Sequence, residues 1–205
     1  MKLSKPRGVK KIVTARENSK PPGDRLNKSQ DGSNIMISLN TNLVDSHIVR
    51  IRNEGQAEYL ILQRSEKSKY YPETWQILTG HVQEDETAAE AVVRELREET
   101  KLNPLAVYSL NYVSRFYEVT DNSIYLVPVF VTVVPFSARV VLNRREHQRY
   151  KWCISQQAQR WLHWQQHRRS VMQVQREFIE RKPTELLKVY GESIENNDKG
   201  ILDRK

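Results

Sequence analysis

The 205-residue chain has one cysteine, seven glycines and no long apolar run. A single cysteine, Cys153, cannot close an intrachain disulfide, which excludes a disulfide-stapled secreted fold. The most apolar stretch, 124–136, is broken by Pro128 and Thr132 and falls short of the roughly 20 residues that a spanning helix needs. No membrane segment is therefore expected. The basic start, residues 1–7, has no apolar h-region behind it, so no signal peptide is read and a cytoplasmic location is expected. With 38% hydrophobic and 28% charged residues, the composition suits one globular domain carrying polar appendages.

The formal charge of +8 is unevenly spread. Residues 1–50 hold ten Lys/Arg against four acids, whereas residues 51–205 hold 23 against 21. The basic excess thus reads as a property of the N-terminal arm, not as the footprint of a folded nucleic-acid-binding face. Nucleic acid, if bound at all, is expected through that arm.

Residues 1–40 are polar, carry Pro21-Pro22-Gly23 and Asp31-Gly32-Ser33, and show no sustained period, so a disordered arm is expected there. Met36 lies in frame near its end, as an alternative start would. A domain is expected over 41–190 and a polar tail over 191–205. Strands at 46–52 and 58–64, turned at Asn53-Glu54-Gly55, read as a hairpin. A β-like piece at 75–78 precedes Gly80, and a helix follows over 87–100. Two long β-rich runs, 105–119 and 123–134, turn at Thr120-Asp121-Asn122. Short strands are expected at 140–142 and 150–154, then helices over 155–162 and 168–181, the second with Val171, Val174 and Phe178 on one stripe. Pro183 ends it.

The helix over 87–100 concentrates acid. At about 100° per residue, Glu98 lies near −60° and Glu99 near +40° from Glu95. Ala88, Ala91 and Val92 continue that sector toward the N-terminus, while Ala89, Val93 and Leu96 form a second apolar stripe. A helix apolar on two sides is sandwiched, and its acids sit at the end of a buried face. They also sit at the helix C-terminus, where the dipole disfavours negative charge, so a cation is needed. Clustered oxygen donors without His or Cys select Mg²⁺, with Mn²⁺ as a substitute, over zinc. From the helix alone, an exposed face laced by Glu90–Arg94 and Arg94–Glu98 pairs is the competing reading.

The wider spacing decides between them. Gly80, Glu86, Arg94-Glu95-Leu96, Glu98-Glu99 and Leu102 fill eight of nine defined positions over 23 residues in a pattern that resembles the signature of the Nudix hydrolases. The departure is Lys101, where the family pattern has Gly. The resemblance implies an α/β (α+β) Nudix fold, a mixed β-sheet sandwiched between helices. It also implies water-driven, Mg²⁺-dependent cleavage of a phosphoanhydride in a small-molecule diphosphate or nucleoside triphosphate. It assigns Glu95, Glu98 and Glu99 to metal, with Gly80 contributing a backbone carbonyl, and gives Glu86 and Arg94 orienting roles. Many relatives dimerise, so a homodimer is a further expectation.

A further acid is expected from outside the helix. Glu146-His147-Gln148-Arg149-Tyr150-Lys151-Trp152 and Trp75-Gln76 resemble the branch of that family acting on dihydroneopterin triphosphate and related nucleoside triphosphates. That likeness makes Glu146 a metal ligand or the activator of water. Arg64, at a strand end, suits phosphate contact, and Gln76 is a candidate substrate contact beside it. His81 faces phosphate or solvent, Tyr70 and Tyr71 either stack on a base or cover the loop, and His163 and His167 read as surface or packing. The alternative function is a catalytically weak nucleotide-sensing or RNA-binding module that uses the basic arm.

Overall fold

A computed structural model describes residues 36–53 and 56–191; all its elements belong to the unit that begins at Ile37. The expected turn at Glu54-Gly55, the arm up to residue 35 and the tail from residue 192 lie outside the described residues. The elements run β1 (Ser38–Asn40), β2 (Leu43–Asn53), β3 (Gln56–Arg64), β4 (Trp75–Gln76), β5 (Leu78–His81) and α1 (Ala88–Thr100). They continue with β6 (Ala106–Glu118), β7 (Ser123–Val133), β8 (His147–Cys153), α2 (Ser155–Trp161), α3 (Gln165–Gln173) and β9 (Lys188–Gly191). After α3 the chain continues as π-helical turns over Val174–Glu180.

The sheet is mixed. Strand β2 is parallel to β7 and antiparallel to β3, and β6 joins β7 to β9. Strands β2 and β3 pair only over part of their length, from Ile48↔Leu60 to Asn53↔Gln56. Beyond that they fork. Strand β5 takes the β2 side, with Val44↔Gly80, and β4 takes the β3 side, with Leu62↔Gln76. The β-like piece expected at 75–78 is two strands, β4 and β5, and the second runs on through Gly80, wedged into the sheet.

Alternation along the strands separates two cores. Ile48, Leu60, Leu62 and Leu78 face Leu96 of α1, and Val44 and Phe130 face Ala91 and Val92. Val49, Tyr59, Ile61, Val129 and Val131 face the other way, against Ala158, Leu162, Val171, Val174 and Phe178. The expected sandwich is the observed one, with α1 and α3 on opposite faces.

Helix α1 begins where its sequence marks it. Thr87 accepts from the Glu90 amide, and the Glu90 carboxylate accepts from the Thr87 amide, a reciprocal cap. Its end is less ordinary. Lys101 adopts φ 57° and ψ 15°, the left-handed conformation that glycine takes without penalty, at a cost of roughly 1–2 kcal/mol.

Three readings change. Residues 38–40, placed by sequence in the arm, form β1 along β7. Residues 188–191 add β9 at the edge of β6. Residues 140–142 are not a strand, because their hydrogen bonds go elsewhere: the Val141 amide donates to the Thr100 carbonyl and that of Asn143 to the Glu99 carbonyl. They cap the end of α1 instead of extending the sheet.

Candidate active site

Glycine at 80 answers to its neighbour, not to backbone torsion. A Cβ placed there would lie 2.2 Å from Cγ of Glu95 and 2.5 Å from its carboxyl carbon. The Glu95 side chain crosses the face of β5 through the space that glycine leaves. The close approach that glycine permits is therefore first to a carboxylate of the same chain.

Arg94 organises the rest of this end of α1. Its Nε and one terminal nitrogen meet the two Glu86 oxygens at 2.8 and 2.9 Å. Other bonds reach the His81 carbonyl at 2.7 Å, Glu95 at 2.9 Å and Glu98 at 3.3 Å. Those hydrogen bonds hold the Glu86 carboxyl below its ordinary range and raise the Arg94 guanidinium further. Glu86 also accepts from the Gln83 amide. One guanidinium thus ties the segment after β5 to two of the three helix carboxylates.

Glu99 is the buried member, 7% exposed, while the Glu98 side chain is more than half exposed. His147, at the start of β8 and itself buried, places Nε2 2.7 Å from Glu99 Oε2. The other ring nitrogen has no partner among the described residues, which suits a tautomer whose Nε2–H donates to the carboxylate. Burial pushes the Glu99 carboxyl up, His147 opposes this, and the negative charges of Glu95 and Glu146 add to the rise. Glu146 stands in the exposed turn before β8; its carbonyl accepts from the Ser65 amide at 2.8 Å. Glu95 and Glu146, from two segments far apart in sequence, therefore both act on Glu99.

As placed, no three Asp, Glu, His or Cys side chains among the described residues converge on one point, because Glu95 and Glu98 meet Arg94 and Glu99 meets His147. The donor chemistry nevertheless fits a hard divalent cation. The donors are oxygens, the charges of Glu95 and Glu146 add to the rise at buried Glu99, and a side-chain-free residue adjoins Glu95. The fit lies in the residues present and their crowding; their present orientations serve protein partners.

The other sequence candidates are placed as follows. Arg64 is engaged locally, on Ser68 Oγ at 2.7 Å and the Tyr70 carbonyl at 3.1 Å. Gln76 is buried on β4. His81 is exposed and offers its carbonyl to Arg94. Tyr71 covers the loop: its hydroxyl donates to Glu118 and its ring meets Trp164 edge-on, whereas Tyr70 stays half exposed. His163 is exposed, but His167 is not surface.

His167 belongs to a buried polar group that sequence reasoning missed. It lies 3.5 Å from Asp45, whose other oxygen accepts from Thr79 at 2.8 Å, one residue before Gly80. Ser114 also donates to Asp45, and His47 meets Ser170 at 2.8 Å. These bonds join β2, β5, β6 and α3 and fix β5 from the face opposite α1. Burial of Asp45 favours its neutral form, but the charge and hydrogen bond of His167, with Thr79, hold its pKa low. Burial, then the charge of His167, pushes His47 down from 6.5 to about 3; Asp45 opposes them, and the remaining aromatic neighbour is Tyr59. The unfolded chain then binds the extra proton first. Stability is full above pH 6.5 and falls as the pH drops toward 3, by about 2 kcal/mol between pH 7 and pH 5 from this group. Urea titrations at the two pH values are expected to show that loss, and His47→Gln is expected to remove most of it.

Sequence comparison finds no curated protein that matches. A family model described as the NUDIX domain matches residues 42–174. Among solved structures, a *C. elegans* Ap4A hydrolase is 22% identical, with 65% of this chain and 93% of that one covered and a TM-score of 0.54. The *E. coli* dihydroneopterin triphosphate pyrophosphohydrolase is 21% identical over 71% and 99% of the two chains, TM-score 0.54. The NUDIX domain of *Shewanella oneidensis* NrtR, solved with ADP ribose, is 15% identical over 76% and 97%, TM-score 0.54. At these identities the likeness is one of fold. With the family model spanning most of the described sheet and the Gly80–Leu102 pattern sitting on β5 and α1, the chain belongs to the Nudix hydrolase family.

Proposed function

We propose that the chain is a cytoplasmic Mg²⁺-dependent hydrolase that cleaves a phosphoanhydride in a nucleoside triphosphate or a similar X-linked diphosphate. The observation that carries this reading is the packing of Glu95 into the space left by Gly80, on the helix that also holds the buried Glu99. Glu95, Glu98, Glu99, Glu146 and the Gly80 carbonyl would hold the cation. Bound there, it supplies neutralisation of charge on the displaced phosphate and a lowered pKa for coordinated water. The protein's own groups do the rest. Arg94 fixes Glu95 and the segment after β5, His147 orients Glu99, and Glu86 anchors Arg94. Glu146, exposed on the opposite lip, takes a proton from the attacking water.

The ligands in the neighbours' names, Ap4A, dihydroneopterin triphosphate and ADP ribose, each contain a phosphoanhydride. They form the natural first panel, with deoxynucleoside triphosphates added. Hydrolysis of at least one, dependent on Mg²⁺ or Mn²⁺, is the expected result; none above the buffer rate would refute the reading. Glu146→Gln is expected to lower kcat by at least about 100-fold, as general-base losses do, with little change in thermal midpoint because the side chain is exposed. If Glu146→Gln turns over normally while Glu118→Gln is inactive, the proton acceptor lies on the β6–β7 turn instead. A homodimer is part of the same proposal, checked by sedimentation.

A further inference from the structure

The near balance of charge after residue 50 conceals a segregation. From residue 147 to residue 176 there are six Lys/Arg and no Asp or Glu. That stretch is β8, α2, α3 and the first π-helical residues; α2 packs on α3, and β8 and α2 both adjoin β3. Arg149, Arg160 and Arg169 are exposed, and none has an acidic partner among the described residues. Of the six, Arg176 pairs with Glu177 just beyond the stretch, while Arg149, Arg160 and Arg169 keep their charge free for a ligand.

Aromatic rings interleave with it. A groove of about 450 Å³ between β8 and the end of α2 is lined by Arg144, Arg149, Lys151, Trp75 and Trp161. Trp161 is 46% exposed, its ring edge-on to Trp75 at 5.5 Å, and Lys151 lies 3.9 Å from its centroid. A second groove of about 480 Å³ follows along α2 and α3, where Arg160, Arg168 and Arg169 meet three glutamines. Helix α2 contributes to both grooves, Arg160 to the second and Trp161 to the first. The first begins at Arg144, two residues from Glu146. Together the two grooves offer spaced cations, a ring to stack on and amides to bond with.

We propose that the β8–α2–α3 face binds single-stranded nucleic acid. Successive phosphates would meet Arg149, Arg160 and Arg169, and a base would stack at Trp161. Single strands fit better than a duplex, because a stacking ring needs an unpaired base. This places nucleic acid on the folded domain, where the composition had pointed mostly to the arm, and it does not depend on the hydrolytic reading.

The test is fluorescence anisotropy of a labelled oligouridylate with the full-length chain, in EDTA so that metal-dependent cleavage cannot consume the probe. Arg149→Gln/Arg160→Gln/Arg169→Gln is expected to weaken binding more than about tenfold and to lower the slope of log K against log salt by about 2, at about 0.7 per phosphate contact. Trp161→Ala is expected to weaken it about tenfold with the slope unchanged. Circular dichroism checks that these surface variants fold. A comparison variant, Lys10→Gln/Lys11→Gln/Arg16→Gln, is expected to change little. If instead that variant abolishes binding while the surface triple leaves affinity and slope intact, the arm is the binder and the proposal fails. It fails equally if the unaltered chain does not bind the probe at low salt, or prefers duplex to single strand.

Discussion

Glu99→Gln is expected to reduce hydrolysis by about 10²–10⁴-fold while leaving the thermal midpoint unchanged or higher. The two effects separate because Glu99 carries two opposed roles. Its carboxylate is buried, and burial together with Glu95 and Glu146 penalises the ionised form, so the fold gains nothing from charge there. Glutamine keeps the size and an oxygen for the His147 Nε2–H, so that donor keeps its acceptor. What it lacks is the negative charge that a cation would need. The variant should also have lost affinity for Mn²⁺, measured by calorimetry on the unreacted protein. Normal turnover by Glu99→Gln at ordinary Mg²⁺ would remove the helix from the chemistry.

Gly80→Ala is the second large effect. A methyl group 2.2 Å from Glu95 Cγ cannot be absorbed by swinging a chain end, since Cγ is close to the helix backbone. Either β5 or the Glu95 side chain moves. Overpacking of this kind costs about 1–3 kcal/mol, and an ångström of misplacement at a reacting centre can cost about 10²-fold in rate. Both losses are expected in the single variant. Gly80→Ala/Glu95→Ala should recover most of the stability and none of the turnover. If the double variant is as unstable as Gly80→Ala alone, Glu95 is not what the glycine accommodates.

How much of this could be read from sequence follows the range of the interactions. Helix α1 was legible because its signals are local: Thr87 and Glu90 cap it, and its apolar positions recur every turn. That Gly80 needed explaining was legible; its reason was not, because the colliding atom belongs to Glu95, fifteen positions on. Strands β4, β5 and β9 are two to four residues long and exist by pairing with longer neighbours. Residues 140–142 have β-forming side chains and yet no strand, since the partners within reach were carbonyls at the end of α1. The Asp45–His167 contact spans more than a hundred residues, and nothing near either residue announces the other. Counting charge over long windows likewise hid an acid-free stretch that a shorter window displays.

The hydrogen bonds from Val141 and Asn143 to the last carbonyls of α1 bear on how such a site tolerates change over time. They are main-chain bonds, indifferent to which side chains are present. The Glu146 amide in turn donates to the Asn143 carbonyl, so the spacing from Glu99 to Glu146 is set by counting peptide units. From Val141 to Glu146 the number of residues is therefore fixed by these bonds, while Val140 and Leu142 are held by packing against the core. An insertion before Val141 lengthens a loop, whereas one between Asn143 and Glu146 moves the acid off the lip. Lineages of this chain would carry length variation on the first side of that boundary and substitutions alone on the second.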